Sequence, residues 1–257
     1  MLLRRVTKHV RNQNWFAVAL DFVIVVVGVF IGIQVANWNE AQADRRLGRY
    51  YLDRLVVDLT DDLEMSTQTV AYYKQVLESV KRTETLLLQE NPDEKAIVAA
   101  AYRATEASGA AVTSATWDQI VSSGHIGLLR DSSLENSLAN YYRVQQVTID
   151  SNAQLFNSPY RQAVRSLIPL SVQLAIREGC SDALDTYNQP ISFVEDCVIK
   201  VDVDVLERTA NVIRTSQAVR ESLRNQYSTI ITVLAAMEGN AVQITDLLNS
   251  IRGKLGA

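Results

Sequence analysis

A run of apolar residues near the N-terminus constrains this chain more than any other feature. The 12 residues from Phe22 to Ile33 carry no polar side chain, and Trp15–Leu20 extends the run backwards across Asp21. A helix needs about 20 such residues to span a bilayer. At about −0.3 to −0.6 kcal/mol per apolar residue, the run outweighs one aspartate at about +2.5 to +3.5 kcal/mol. The sequence therefore predicts one transmembrane helix at residues 15–36.

Two tryptophans bracket this helix and are predicted to anchor it at the membrane interfaces. Trp15 and Trp38 lie 23 residues apart, which is about 35 Å along a helix. Tryptophan is enriched at both interfaces of membrane proteins. The lipid bilayer is therefore the first partner that the sequence implies.

The charges that flank the helix predict its orientation. The tail at residues 1–14 carries four Lys or Arg residues and no acid, whereas Arg45, Arg46 and Arg49 follow the helix more distantly. Basic residues accumulate on the cytoplasmic side, so we expect a cytoplasmic tail and an extracytoplasmic domain at residues 37–257. A cleaved signal peptide is the alternative, because 41–43 reads Ala-Gln-Ala, but the apolar region is too long for one.

One face of the membrane helix collects its unusual residues. At 100° per residue, Gly28 and Gly32 lie within about 20° of Asp21, and Val25 lies near the same line. Small residues allow helices to approach closely in lipid, and an intramembrane acid usually faces a partner or a wet cavity. The face therefore predicts an interface, with a second copy or with another membrane protein. The alternative is that Asp21 reaches the nearby headgroups and the helix is a plain anchor.

Charge and cysteine content limit the chemistry of the remaining chain. Of 25 Lys and Arg residues four precede residue 36, and of 29 acids one does, which leaves 21 basic and 28 acidic residues beyond it. This acidic balance predicts no nucleic-acid partner. Cys180 and Cys197, the two cysteines, form either a disulfide in an oxidising compartment or two buried thiols. With His9 and His125 they match no zinc spacing, and no cofactor is expected.

Beyond the membrane helix the pattern predicts an all-α fold. Apolar residues advance by threes and fours from Leu52 to Leu87 and again from Val219 to Leu255. Two long helices with matching stripes are expected to pack on one another in a bundle. Residues 179–203 are the least regular, with either a short strand near Val198 or a helix that starts at Asp204.

Three further features resemble sites, but their ordinary structural interpretation is favoured. The Ser-Ser-Gly-His sequence at 122–125 lacks the hydrolase nucleophile motif and predicts a helix C-cap with Gly124 in the left-handed conformation. The acids between Asp58 and Glu64 predict a solvated helix face. The adjacent tyrosines are predicted to occupy half-buried helix positions, in the pairs Tyr50-Tyr51, Tyr72-Tyr73 and Tyr141-Tyr142. No catalytic residue and no metal ligand is assigned.

Two segments carry a resemblance to a group of known proteins. Residues 25–41 (VVVGVFIGIQVANWNEA) and 116–142 (TWDQIVSSGHIGLLRDSSLENSLANYY) resemble a widespread family of uncharacterised bacterial single-pass membrane proteins. Members share a short tail, an acid early in the membrane helix, a W-N-E exit and a W-x-x-[IL]-x-x-S-G-x-[IL] turn. The resemblance implies the bacterial inner membrane with the bulk of the chain in the periplasm. It implies no reaction.

These observations favour a non-enzymatic envelope protein that binds a protein or ligand through its outer domain. The membrane helix would contact a partner or another copy. One alternative is an accessory subunit of an ion-driven inner-membrane motor, in which Asp21 carries protons. A second alternative is an enzyme that acts on the envelope.

Overall fold

The computed structural model describes residues 15–109, 112–186 and 188–256, and the side chains of 15–18 and 146–153 fall outside this description. The predicted tail at 1–14 also lies outside the described residues. The chain divides into two compact units, one that ends at Tyr51 and one that begins at Leu52. This boundary lies 15 residues beyond the predicted end of the membrane helix at 36.

The first helix, α1, extends from Trp15 to Leu88 and contributes to both units. From Ala19 it is long and apolar enough to cross a membrane, with a mean hydropathy of 2.4 over 18 residues, none of which is buried. Beyond Tyr51 the predicted stripe is directed into a core, where Leu55, Leu59 and Tyr73 have no exposed surface. The helix ends at Leu88, shortly before the Asn91-Pro92 sequence. A proline disfavours the helical conformation of the residue before it, here Asn91.

Apart from one hairpin, the regular secondary structure among the described residues of the second unit is helical, as the sequence predicted in broad outline. The helices that follow α1 are α2 (Glu94–Arg103), α3 (Ala115–Ser122), a 3-10 turn (Ile126–Leu129), α4 (Ser132–Phe156), α5 (Pro159–Leu167), α6 (Leu170–Gly179), α7 (Val203–Thr215) and α8 (Gln217–Gly256).

Local signals explain several of these boundaries. Asp131 caps α4 by accepting hydrogen bonds from the backbone N–H groups of Ser133 and Leu134. Ser158 caps α5 in the same way, with proline at the first helical position, where its missing N–H costs nothing. A cap of this kind satisfies amides that have no partner within the helix.

The predicted pairing of the two long helices is present within the second unit. Leu77 and Val80 of α1 share one buried cluster with Ile230 and Leu234 of α8. Lys74 and Glu238 join the same two helices at the surface, with Nζ and Oε1 2.8 Å apart. The two stripes therefore form a common core.

A β-hairpin occupies the irregular segment between α6 and α7. Strand β1 (Asp182–Leu184) pairs antiparallel with β2 (Pro190–Phe193), and the sequence did not predict these strands. The alternative strand near Val198 is absent from the described residues, and α7 begins at Val203, one residue before the predicted helix start.

Candidate functional site

The predicted membrane face lies on a fully exposed part of α1. Asp21, Val25, Gly28 and Gly32 share a stripe, and Val25 exposes 63% of its surface. A Cβ atom added at either glycine would meet no atom within 4 Å. Every described side chain from 19 to 40 is exposed. The structure therefore brings the four residues together on one face without distinguishing that face from the others.

The predicted anchors differ in what the structure describes. Trp38 is 62% exposed on α1. Trp15 is the first residue of the helix, and its side chain lies outside the described part.

Cys180 and Cys197 are joined by a disulfide that encloses the hairpin. Their Cα atoms are 4.3 Å apart. The chain crosses itself tightly beside this bond, because the Val198 amide donates to the Gly179 carbonyl over 2.9 Å. A Cβ atom at Gly179 would overlap the Val198 carbonyl oxygen. Only glycine fits there without a backbone shift.

A groove of about 670 Å³ runs between α3, the 3-10 turn and α4. We call it the Trp117 groove, and its wall is the stacked pair Trp117–Tyr142, with ring centroids 5.4 Å apart and planes 10° apart. Its lining is mixed, with four aliphatic, two aromatic and four polar residues: Val112, Ser114, Trp117, Asp118, Val121, Ile126, Ala139, Tyr142, Arg143 and Gln145. Volumes of this size with convergent polar groups are typical of small-ligand sites.

Two carboxylates of α1 lie close to the groove wall. Asp62 is only 4% exposed and accepts hydrogen bonds from the Tyr141 hydroxyl and the Thr113 amide, each 2.9 Å long. Burial raises its pKa, which these two hydrogen bonds partly offset. The prediction of a solvated acidic face is therefore wrong for Asp62. Asp62 follows Leu59 by three residues, so it continues the apolar stripe and is directed inward.

Two buried polar atoms near the groove wall have no hydrogen-bond partner among the described residues. Within the described residues, Oδ2 of Asp58 and the hydroxyl of Tyr142 are buried without a hydrogen-bond partner. Burial raises the pKa of Tyr142, and the charges of Asp62 and Asp58 raise it further. A neutral phenol beside a free carboxylate oxygen can donate to one group and accept from another. The described chain holds no group of three metal-ligating side chains.

The Ser-Ser-Gly-His segment forms a helix cap. Gly124 has φ of +71°, and the His125 and Gly124 amides donate to the carbonyls of Ile120 and Val121, which is the Schellman pattern. The hydroxyls of Ser122 and Ser123 both donate to the Gln119 carbonyl. The geometry matches the predicted cap.

A second polar cluster, which sequence reasoning missed, surrounds Glu106. Its side chain is 7% exposed and pairs with Arg165 at 3.1 Å, Arg177 at 3.3 Å and Arg161 at 3.8 Å. Arg165 also lies 3.7 Å from the centre of the Tyr102 ring. The arginines lie on α5 and α6, whereas Glu106 lies in the turn after α2. No local sequence pattern therefore predicts this cluster.

The Glu106 cluster also holds the hairpin. Arg177 lies 3.6 Å from Asp182 of β1, and Asp182 accepts a 3.1 Å hydrogen bond from Tyr72 of α1. Burial raises the pKa of Asp182, as does the charge of Glu106. Tyr72 and Tyr73 are fully buried rather than half-buried, and Tyr73 donates to the Ser108 carbonyl. The cluster therefore joins the helices to the hairpin through ion pairs and hydrogen bonds.

Comparison with known proteins places the chain in a group without an assigned activity. Residues 21–184 match DUF6090, a family of unknown function. No curated protein and no solved structure matches the chain. The match begins at Asp21 and includes both the Trp117 groove and the Glu106 cluster. Function therefore has to be argued from the sites themselves.

Proposed function

The chain belongs to the DUF6090 family, whose function is unknown, and on that premise we propose that it is a non-enzymatic, membrane-anchored envelope protein. Its outer helical domain binds a protein or ligand. Its membrane helix contacts another copy or a second membrane protein. The bulk of the chain lies in the periplasm of a bacterium, with the N-terminus in the cytoplasm.

The observation that carries the proposal is the unburied apolar part of α1. Its 18-residue window of mean hydropathy 2.4 has no buried residue in the structure, although the same helix supplies core residues further along. Apolar side chains left this exposed need lipid or a partner to leave water. A bilayer satisfies the whole window, and the one aspartate near its start does not outweigh the apolar residues.

The disulfide supports an extracytoplasmic outer domain. Cys180 and Cys197 are bonded in the structure, and such bonds persist mainly in oxidising compartments such as the periplasm. This agrees with the basic tail, which is predicted to remain cytoplasmic.

The Trp117 groove supports a binding function rather than catalysis. It combines an aromatic wall with unsatisfied polar atoms nearby, which are features of a ligand-binding surface. The neighbouring serines donate to a backbone carbonyl, so their hydroxyls are engaged in a cap.

Fractionation of cells tests the anchor. The full chain is expected to remain in the membrane pellet after an alkaline carbonate wash and to enter solution only with detergent. A C-terminal alkaline phosphatase fusion is expected to be active. Release into the soluble fraction, with a mature N-terminus near residue 43, would support signal-peptide cleavage instead.

Cysteine crosslinking within the membrane tests the helix face. Val25, Gly28 and Gly32 are each replaced by cysteine, with Val27 and Phe30 as controls on other faces of α1. Crosslinks confined to the first three positions are expected, and mass spectrometry identifies the captured chain. Equal crosslinking at all five positions would show that the helix is a plain anchor.

Photo-crosslinking tests the groove. A photoreactive side chain at Val121, which is 45% exposed in the groove, is compared with one at Val242, which is 62% exposed outside it. A product specific to Val121 in intact cells is expected. The same products at both positions would show that the groove is not the binding surface.

A further inference from the structure

A second cavity, of about 470 Å³, lies above one face of α2. Three alanines, Ala96, Ala99 and Ala100, lie along its floor, and their spacing of three and four places them on one side of the helix. Because each contributes only a methyl group, room remains between α1 and the segment that follows the hairpin. We call this cavity the arginine trough.

Three cations line the trough, namely Arg82, Lys95 and Arg103. Within the described residues none of them lies within ion-pair distance of a carboxylate. Unpaired cations are ordinary on an open surface, but Arg103 is half-buried. A half-buried guanidinium without a contacting acid is an unusual arrangement.

The hydrogen bonds of Arg103 also leave its guanidinium incompletely satisfied. Its Nη2 donates to the Val194 carbonyl over 2.7 Å, and the guanidinium lies 4.8 Å from the centre of the Phe193 ring. Its Nε is buried and has no acceptor in the described residues. Burial lowers the pKa of Arg103, the charge of Asp182 raises it, and the charge of Arg82 lowers it. An oxyanion in the trough would add a charge-assisted contact to the guanidinium, on which Asp182 acts only from beyond ion-pair distance.

Among the described residues, no acid that lines the trough forms an ion pair with its cations. Asp93 accepts a 3.1 Å hydrogen bond from the Ala96 amide, which caps α2. Glu195 and Asp196 are exposed where the segment after the hairpin lines the trough. Their negative charge weakens the attraction of the trough for any anion, so binding depends on direct contact with Arg103 and Arg82.

We propose that the arginine trough binds a small solute that carries a carboxylate or phosphate group, with the oxyanion between Arg103 and Arg82. The site goes beyond the proposed function, because it is separate from the Trp117 groove and does not require membrane insertion. Its ligand is recognised by one charged group, so the volume above the alanines accommodates the rest of a small molecule.

Calorimetry on the full chain in detergent tests the site. Sodium phosphate and sodium acetate are titrated as separate probes against sodium chloride at equal ionic strength, which removes general screening effects. Arg82→Gln removes an exposed cation from the trough, and Ala99→Leu fills its floor. Arg208→Gln, on an exposed position of α7 outside the trough, is the matched control.

At least one probe is expected to bind the wild-type chain in excess of chloride. Arg82→Gln is expected to weaken that binding about tenfold, the loss of one charge-assisted contact, and Ala99→Leu to weaken it further. Arg208→Gln should leave it unchanged. Binding of only one probe supports the site and identifies its anion. Absence of binding by either probe, or equal binding by wild type and Arg82→Gln, would overturn the proposal whatever the membrane experiments show.

Discussion

Neutralising Glu106 is the most informative single substitution in the outer domain. Glu106→Gln keeps the size of the side chain but removes the charge that three arginines share. Arg161 and Arg165 have side chains that are only 21% and 17% exposed. Without Glu106 they would stay buried with less compensation. Loss of one member of a buried ion pair costs about 3–5 kcal/mol.

The structure favours the lower end of that range. Arg165 retains hydrogen bonds to Thr105 and the Tyr102 hydroxyl, and Arg161 retains the Thr105 carbonyl. The Arg177 side chain is 45% exposed, so solvent screens much of its attraction to Glu106. We expect the free energy of unfolding to fall by about 3 kcal/mol, which for a domain of this size lowers Tm by about 6–12 °C.

Circular dichroism of the full chain in detergent measures the change by heat and by urea. Glu207→Gln is the control, because Glu207 is an exposed acid on α7 and its loss is expected to change stability by less than about 0.5 kcal/mol. The double variant Glu106→Gln/Arg165→Met should cost less than the sum of its single changes, since the two groups are coupled. Equal stability of the Glu106 and Glu207 variants, or strict additivity, would refute the reasoning.

Three further predictions follow from the same structure. Burial raises the pKa of Asp62, so the folded protein binds the carboxyl proton more tightly than the unfolded chain does. The protonated Asp62 therefore contributes its full stabilisation below the unfolded pKa near 3.8. This contribution declines as the pH rises through the higher pKa of the folded state. Asp62→Asn should therefore reduce this decline when urea unfolding is compared between acidic and neutral pH, and an unchanged pH profile would contradict the assignment. Gly179→Ala should destabilise the chain by about 1–3 kcal/mol through overlap with Val198, whereas Gly239→Ala, in open space on α8, should stabilise it by up to about 1 kcal/mol; thermal unfolding that ranks the two in the opposite order would refute the close-approach argument. Cys197→Ser should remove about 3 kcal/mol by opening the loop, and a Tm equal to that of the oxidised wild type would show that the bond adds no stability.

Long-period patterns were sufficient to predict the helical scaffold. The stripes from Leu52 and from Val219 both lead into one core, because apolar residues at helical spacing leave few other ways to bury them. Local chemistry likewise predicted the cap at Gly124, since a positive φ after a helix favours glycine. The membrane helix, its interface face and its orientation remain predictions from composition and charge.

The two polar sites were missed for different reasons. Asp62 carried a signal that was available, namely its position on an apolar stripe, and grouping it with its acidic neighbours concealed that signal. The partners of Glu106 come from helices more than 50 residues away, so no sequence window contains them.

The sequence by itself determined where this chain is apolar, and therefore its helices and its candidate membrane span, because burial of apolar surface depends on composition and period. Only the tertiary structure decided which charges meet. Arg161, Arg165 and Arg177 converge on Glu106, whereas no described acid lies within ion-pair distance of Arg103. Electrostatic and hydrogen-bond partners are selected by distances of a few ångströms between elements remote in sequence, and those distances exist only after the helices have packed.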